Sequence, residues 1–211
     1  SDPSTQTTFN AGRLNYFGSL GLTANIRGGS AGDGIFAIPY PSNGNTMKGT
    51  TIVGITDGTS NTAMFAEVMR SRDTNGSTGS GIRDNITVIL NSTGWNDFDG
   101  TTIPMCQDGS SWNSSIKYVG QEYYRSLLSN FLYTHTLPIN WNRKVATGTQ
   151  RYSCGDLSFS RMHISASSYH TGGANVGMAD GSVRFVTDGI SFPTWKAMGT
   201  KANGDLLGSD F

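Results

Sequence analysis

Short apolar runs separated by polar turns recur along this chain, and they predict a fold built mainly from β-strands. Asn or Asp precedes Gly at nine places, and each such pair favours a tight turn. Apolar runs of strand length lie between these turns at residues 34–38, 51–55, 86–90 and 183–186. Regular turns that alternate with short strands are typical of antiparallel domains, so we predict an α+β fold dominated by antiparallel sheet.

The clearest local signal follows His170. Residues 175–179 can run extended, residues 182–186 alternate polar and apolar side chains, and Asp180-Gly181 lies between them. An Asp-Gly pair between two such runs predicts a β-hairpin with a type I′ turn, which needs positive φ at both central residues. Gly172-Gly173 frees the backbone just after His170, so the imidazole can fold back over the hairpin.

Helix signals are few. Residues 121–132 carry apolar side chains at i, i+3, i+4 and i+7, which predicts an amphipathic helix. Residues 192–199 predict one short helix, with Pro193 in its first turn and Gly199 at its end. Residues 64–68 fit a short helix or a strand, and we favour the strand. The side chains buried by that strand would be Met64, Ala66 and Val68.

The middle of the chain, residues 71–160, has weaker patterning than either end. Its polar and aromatic loops hold three of the four tryptophans and both cysteines. A chain of 211 residues fits one domain. We therefore interpret residues 1–211 as a single domain, with 71–160 as a variable, loop-rich insertion on the same core.

The content of charged residues argues against some classes of binding protein. Charged residues make up 14% of the chain, against about 25% in a typical soluble domain, and the 15 basic residues balance the 15 acidic ones. That balance provides no basic patch for nucleic acid or for a membrane surface. No apolar run approaches the roughly 20 residues of a membrane span. A surface rich in Ser, Thr, Asn and Gly is common in exported proteins, so we predict an extracellular, cell-surface or envelope location.

Cys106 and Cys154 are the two cysteines of the chain. An exported chain favours their pairing in a disulfide, and two free buried thiols are the alternative. A zinc site is not indicated, because neither cysteine has a second cysteine three positions away and no histidine lies near either one.

Two segments carry a family resemblance. Asp57-Gly58-Thr59-Ser60-Asn61-Thr62, with Glu67 five residues further on, and the stretch from His170 to Asp180-Gly181 resemble a bacterial family with a prepilin-type, processing-associated H-x9-DG motif. Members of that family look like type IV pilins or type II secretion pseudopilins. The opening at Ser1-Asp2-Pro3 and residues 15–21 also resemble the start of that family's globular domain.

The resemblance implies a pilin-like globular head that lacks its N-terminal helix. In the family, a long apolar helix anchors the protein in the inner membrane or packs into a filament, and this sequence does not include it. The implied partners are other pilin-like subunits or envelope proteins, and the membrane is reached only through the missing helix.

His170 and Asp180 can be interpreted as a site or as a structural contact. A catalytic dyad and a metal site shared with His163 are the functional interpretations. A clamp, in which the imidazole bonds to the Asp180 carboxylate or to backbone, is the structural one. We favour the clamp, because no nucleophile accompanies the pair.

The loop that begins at Asp57 is also interpreted as structural. Its small polar side chains form Asx and ST turns without a ligand. Ser60 as a nucleophile would need a neighbouring base and a pair of oxyanion donors, and the sequence supplies neither. Glu67 is expected to bond to this loop or to a cation. The residues of the predicted clamp are His170, Asp180, Gly181, Asp57, Gly58, Ser60, Asn61 and Glu67.

Asp97 and Asp99 raise the question of a cation. Carboxylates on a loop suit hard cations, and pseudopilins resembling this family can carry a structural calcium, although the spacing here is not that of an EF-hand. Calcium at Asp97 and Asp99 is the one cofactor considered. The neighbouring aromatic side chains could instead stack on sugar rings, or serve only in packing.

The sequence thus predicts a non-enzymatic structural protein of the cell surface or envelope. The alternative is an extracellular carbohydrate- or solute-binding module that uses the aromatic loops. A metal-dependent hydrolase using His170 and Asp180 is the third candidate.

Overall fold

The computed structural model describes residues 12–25, 33–36, 49–71, 88–91, 106, 114–116, 118–121, 124, 127–143 and 148–211. Within these ranges the fold is mostly sheet, with nine strands and one α-helix. The elements are β1 (Tyr16–Ser19), β2 (Ala63–Glu67), β3 (Val88–Asn91), β4 (Ser114–Ile116), β5 (Leu132–Tyr133), β6 (Ser153–Asp156), β7 (Met162–His163), β8 (Gly173–Met178), β9 (Val183–Thr187) and α1 (Phe192–Ala197).

The strands form two mixed sheets. The first has the order β5-β1-β2-β8-β9 and the second has the order β4-β3-β6-β7. Each sheet contains one parallel pair, β1 with β5 and β3 with β6, and the remaining pairs are antiparallel. The prediction of a small, sheet-rich single domain is confirmed, but the sheets are mixed rather than purely antiparallel.

Both sheets contribute to one apolar cluster. Phe17 and Val176 of the first sheet lie in it together with Val88 and Ile116 of the second, and Trp195 of α1 joins them. Strands β3 and β4, which come from residues 71–160, therefore pack on the same core as β1, β2 and β8. Among the described residues, no helix is both long and apolar enough to span a membrane.

Cys106 and Cys154 form the predicted disulfide, with their Cα atoms 5.5 Å apart. Cys154 lies in β6, between β3 and β7. The disulfide packs in a second buried cluster with Ile89, Leu137 and Tyr152. It therefore ties Cys106 to a central strand of the second sheet.

Two apolar runs predicted as strands are turns where the structure describes them. Ile52–Gly54 is a 3-10 turn, and residues 33–36 form a bend and turn, while the rest of the 34–38 run lies outside the described residues. Ile52 and Val53 are 79% and 89% exposed. Within the described ranges no strand pairs with the run at 51–55, and an apolar pattern without a pairing partner does not become a strand.

The helix predicted over residues 121–132 is wrong where the structure describes that segment. Leu128–Asn130 is a 3-10 turn, and β5 follows directly. The N–H of Gly18 in β1 donates to the carbonyl of Phe131 at 2.8 Å. Pairing with β1 thus overrides a helical spacing of apolar residues, because tertiary context outweighs local propensity.

The predicted strand at 64–68 is confirmed as β2, with one correction. The register between β2 and β8 shifts between Ala63 and Phe65. This irregularity buries Ala63 and leaves Met64 only half-buried, whereas Ala66 and Val68 are buried as predicted. The shift changes which side chains face the core only at the start of the strand.

The predicted short helix and hairpin are also confirmed. α1 spans Phe192–Ala197, with Pro193 in its first turn, and the N–H of Thr194 donates to the Ser191 side chain, which caps the helix. Every residue of β9 pairs with β8, from Val183 opposite Gly177 to Thr187 opposite Gly173. Proline at the start of a helix and an Asp-Gly turn between two strands are local signals that the tertiary structure retains.

α1 docks through a group of buried aromatic rings. Trp195 lies 4.0 Å, ring centroid to ring centroid, from His135 and donates its Nε1–H to the carbonyl of Leu137 at 2.9 Å. Gly199, just after the helix, faces the same histidine. A Cβ added at Gly199 would lie 2.5 Å from the His135 ring. Glycine is therefore needed there for close approach rather than for a special backbone angle.

We expect Gly199→Ala to lower the free energy of unfolding by about 2 kcal/mol, the usual cost of overpacking a rigid core. Gly189→Ala is the matched control, because a Cβ at Gly189 meets no atom within 4 Å. Urea denaturation of both variants measures the difference. Equal stability of the two would show that α1 does not dock on His135 as described.

Candidate functional site

Two polar segments of the chain contain neighbouring strands of the first sheet. The same number of residues separates two polar side chains in each segment. Nine residues separate Asp57 from Glu67, and nine separate His170 from Asp180. β2 and β8, which these segments contain, pair antiparallel. Antiparallel pairing places Glu67 beside His170 at one end and the Asp57 turn beside Asp180 at the other. Residues 57–67 and 170–181 together are the paired segments.

Glu67 is the central group at the first end. Its Oε2 accepts a hydrogen bond of 2.8 Å from the N–H of Asn175. Its Oε1 accepts from the Tyr16 hydroxyl at 3.3 Å and lies 3.4 Å from Nε2 of His170. The Glu67 carbonyl accepts instead from the N–H of Ser167 at 2.8 Å. The Glu67 carboxylate therefore accepts the hydrogen bond from β8 at the residue whose backbone carbonyl bonds to Ser167.

The surroundings of Glu67 favour its charged form. Burial by itself raises the pKa of a carboxyl group, because the charge loses water. Hydrogen bonds from Asn175 and Ser168, with the nearby His170 ring, outweigh burial and hold the pKa of Glu67 below its ordinary value. Glu67 is therefore ionised at neutral pH. The His170 side chain, in contrast, is 59% exposed.

The turn at Asp180 differs from the predicted type I′ turn. Gly181 has a positive φ of 87°, but Asp180 does not, and the N–H of Gly181 donates to the carbonyl of Met178. This is the arrangement of a type I turn followed by a left-handed glycine. The Asp180 carboxylate accepts from both the N–H and the hydroxyl of Ser182, at 2.9 and 2.7 Å, so it closes its own turn.

Residues 57–62 form a compact turn before β2. Gly58 adopts a φ of 97°, which favours glycine. Its carbonyl accepts from the N–H groups of Asn61 and Thr62, at 3.0 and 3.1 Å. The Asn61 amide donates to the carbonyl of Asp57 at 3.1 Å, and Ser60 is exposed. The polar side chains Asn61 and Thr62 thus fix the backbone of the turn, as Asx and ST turns do.

This turn receives the far end of β8. The N–H of Asp180 donates to the carbonyl of Thr59 at 3.1 Å, and the N–H of Ala179 donates to the carbonyl of Thr62 at 2.9 Å. The backbone of the Asp-Gly turn is therefore held by the Asp57 turn. Together with the Glu67 contacts, these bonds fasten both ends of β8 to the segment that contains β2.

Asp57 itself holds the chain beyond α1. Its Oδ1 accepts from the N–H of Gly204 at 2.8 Å, and its Oδ2 accepts from the N–H of Asn203 at 2.9 Å. The hydroxyl of Thr200 also donates to Oδ2, at 3.2 Å. One carboxylate thus links the turn before β2 to the C-terminal segment.

We expect Asp57→Ala to lower the free energy of unfolding by about 2 kcal/mol, because hydrogen bonds to a charged acceptor contribute roughly 1.5–3 kcal/mol and this group is partly exposed. Asp57→Asn keeps one carbonyl oxygen and should lose about half as much. Chemical denaturation checks both values. If Asp57→Ala were as stable as the unchanged protein, the C-terminal segment would not depend on Asp57.

The comparisons with known proteins bear on the same segments. The family model described as a protein of unknown function (DUF1559) matches residues 1–192, which include both paired segments and the described strands of both sheets. The chain belongs to the DUF1559 family. No curated protein and no solved structure matches the chain. Within this DUF1559 domain, the match ends in α1, so Thr200, Asn203 and Gly204 lie beyond it.

The direct bond between His170 and Asp180 that the sequence suggested is wrong for this DUF1559 domain. The six residues of β8 lie between them, and a strand rises about 3.3 Å per residue, so the two side chains lie at opposite ends. His170 contacts Glu67, while Asp180 bonds to Ser182. The nine-residue spacing reflects the length of a strand and its turns.

The metal site considered for His163, His170 and Asp180 is also wrong. His163 is fully buried, and its Nδ1 lies 2.9 Å from the hydroxyl of Thr136, whereas His170 is at the surface. Among the described residues, no group of three His, Cys, Asp or Glu side chains is placed to hold a metal ion. Asp97 and Asp99, the calcium candidates, lie outside the described residues.

Asn140 is a site residue that the sequence reasoning missed. It adopts a positive φ of 56°, which Asn tolerates better than most residues. Its Oδ1 accepts from the N–H of Ser168 at 2.9 Å, and its amide donates to the Gly173 carbonyl at 3.4 Å and to Asp188 at 3.3 Å. Asn140 therefore holds both ends of the loop that contains His170. Pro138, two residues earlier, was the only local sign of a turn.

Ser168, Glu67 and His170 bring a hydroxyl, a carboxylate and an imidazole together, but in an order unlike that of a catalytic triad. Glu67 interacts with both the Ser168 hydroxyl and the His170 ring. The Ser168 oxygen accepts from the N–H of His170 at 3.0 Å. In a triad the imidazole stands between the hydroxyl and the carboxylate and takes the proton of the hydroxyl.

A cleft of about 360 Å³ opens where β2 and the chain before β8 separate. Its wall includes Glu67, Arg70, Ser168, Tyr169 and His170. The paired segments therefore border a concave surface that combines charged, hydroxyl and aromatic groups. Clefts of this size with a few convergent polar groups are the usual form of small-ligand sites.

Proposed function

We propose that this domain is a non-enzymatic structural protein of the bacterial cell surface or envelope, of the type IV pilin or type II secretion pseudopilin kind. The observation that carries the proposal is the interlocking of residues 57–67 with residues 170–181. These are the segments in which the sequence resembles the pilin-like family. Asp57 and Glu67 hold backbone N–H groups of neighbouring elements, which suits a rigid head that presents surfaces to other subunits.

The disulfide supports a location outside the cytoplasm. Disulfides persist in oxidising compartments such as the cell surface and the periplasm, and they are rare in reducing ones. Cys106 and Cys154 are paired here. On this proposal the partners are other pilin-like subunits or envelope proteins, and the membrane is reached through an N-terminal apolar helix in the full-length protein.

Processing of the full-length protein tests the proposal. We expect its N-terminus, sequenced from cells, to begin with an apolar helix after removal of a short basic leader. We also expect the uncut precursor to accumulate in cells that lack the prepilin peptidase. An exported protein with an ordinary signal peptide is the control, and its processing should be unchanged in those cells.

Two outcomes would overturn the proposal. One is a mature N-terminus produced by ordinary signal peptidase, with no change in cells that lack the prepilin peptidase. The other is a full-length protein that has no apolar N-terminal helix. Either result would be compatible with the observed fold but would contradict the pilin-like assignment.

A further inference from the structure

We propose that the cleft beside Glu67 and His170 binds one ring of a neutral saccharide. A binding site of this kind goes beyond the structural role, because a surface subunit can assemble without a ligand in its head. The cleft holds about 360 Å³, within the 300–1,000 Å³ range that is usual for small-ligand sites.

Exposed aromatic side chains lie in the wall of the cleft and beside two of its wall residues, Glu67 and His170. Tyr169 lies in its wall and is 52% exposed, and Tyr16, whose hydroxyl bonds to Glu67, is also well exposed. Phe185 is exposed as well, and its ring lies edge-on to His170, with 6.4 Å between ring centroids. Exposed aromatic rings grouped beside polar atoms are typical of recognition surfaces, and a sugar ring offers a flat C–H face to them.

Glu67 has acceptor capacity for a ligand hydroxyl. Oε2 is engaged by the N–H of Asn175 at 2.8 Å, a short bond. The contacts of Oε1 with the Tyr16 hydroxyl and with Nε2 of His170 are long, 3.3 and 3.4 Å, and the Ser168 hydroxyl also interacts with the carboxylate. An O–H···O bond is best at about 2.7 Å, so a ligand hydroxyl can reach Oε1 with better geometry than Tyr16 or His170.

The charges of the cleft favour a neutral, hydroxyl-rich ligand. The Glu67 carboxylate repels an anionic ligand, and the Arg70 guanidinium in the same wall repels a cationic one. A purely apolar ligand would cover Glu67 and Ser168 without supplying hydrogen bonds, which costs free energy. A saccharide supplies hydroxyl groups to the polar side and an apolar face to Tyr169.

The test is a titration of the folded domain with neutral oligosaccharides, namely cello-, manno-, xylo- and chito-tetraose, followed by amide NMR shifts up to about 10 mM ligand. We expect at least one of them to bind with a Kd of about 1 mM or tighter. The shifts should centre on residues 67–70 and 167–170. Oligogalacturonate serves as the acidic comparison.

Substitutions of tyrosine test whether the saccharide binds in the cleft. Tyr169→Ala should weaken binding about tenfold, since the ring contact is lost, and Tyr169→Phe should restore it. Tyr124→Ala is the matched control, because Tyr124 is similarly exposed at 57% but does not line the cleft. The absence of binding by all four neutral oligosaccharides would overturn the proposal. Binding that survives Tyr169→Ala, or binding of the acidic oligosaccharide alone, would also overturn it.

Discussion

Lowering the pH from about 6.5 to 4.5 should remove about 5 kcal/mol from the free energy of unfolding, at about 1.4 kcal/mol per pH unit for each of two buried histidines. Burial lowers the pKa of His135 to about 3 and the pKa of His163 to about 4. In the unfolded chain both titrate near the ordinary value of about 6.5. This is the largest effect that the structure predicts.

The direction of the pH effect on the free energy of unfolding follows from which state, folded or unfolded, binds more protons. Below pH 6.5 the unfolded state takes up protons at both histidines while the folded state does not, so acid favours unfolding. Stability from these groups is complete above the unfolded pKa and is lost progressively as the pH falls towards 4. Above pH 7 the two histidines should cause no change.

The hydrogen bonds explain why the folded state keeps both rings neutral. Nδ1 of His135 lies 2.7 Å from the carbonyl of Trp195, and since a carbonyl only accepts, Nδ1 carries the proton. Nε2 then accepts from the hydroxyl of Tyr133 at 3.1 Å. Nε2 of His163 is buried and has no hydrogen-bond partner among the described residues, so a second proton there would lack an acceptor.

Urea denaturation at pH 7, 6 and 5 measures the slope, which should approach about 2.7 kcal/mol per pH unit below pH 6. A free energy of unfolding that stays flat between pH 7 and 5 would show that His135 and His163 are not held neutral in the core.

Glu67→Ala should lower the free energy of unfolding by about 3 kcal/mol. The substitution leaves the N–H of Asn175 without its acceptor and removes the partner of the Tyr16 hydroxyl. Hydrogen bonds to charged groups contribute roughly 1.5–3 kcal/mol, and an unsatisfied donor adds to the loss. For a chain of this size the melting temperature should fall by roughly 6–12 °C.

Matched variants separate the contributions at this end. Glu67→Gln keeps an acceptor oxygen and should lose less than half as much as Glu67→Ala. His170→Ala should cost less than about 1 kcal/mol, because its contact with Glu67 is exposed. If Glu67→Ala unfolded at the same temperature as the unchanged protein, Glu67 would not hold β8.

The sequence predicted the parts of the fold that depend on local rules. Asp180-Gly181 specified a hairpin, and Pro193 marked the start of α1, because both act through the backbone of their own neighbours. The helix predicted over 121–132 is wrong, because the end of that segment pairs as β5 with β1, a strand that is distant in the sequence. The strand predicted at 51–55 is wrong for the opposite reason, because none of the described strands pairs with that run.

Asp57, Glu67, His170 and Asp180 lie in the paired segments. The sequence offered a bond from His170 to Asp180 or to backbone, and β8 keeps the His170 and Asp180 side chains apart. The link between Glu67 and His170 depends on the antiparallel pairing of β2 with β8. Asn140 gave no usable signal, since its role depends on contacts with Ser168 and Gly173 that only the folded chain brings together.

Amide hydrogen exchange at Asn175 and Asp180 tests most directly whether residues 57–67 hold both ends of β8. We expect exchange of both amides to be slowed at least about a thousandfold, which corresponds to an opening free energy of about 4 kcal/mol. Glu67→Ala should then speed exchange at Asn175 far more than at Asp180, whose N–H bonds to Thr59. Exchange of both amides at the rate of an unstructured chain would show that residues 57–67 do not hold β8.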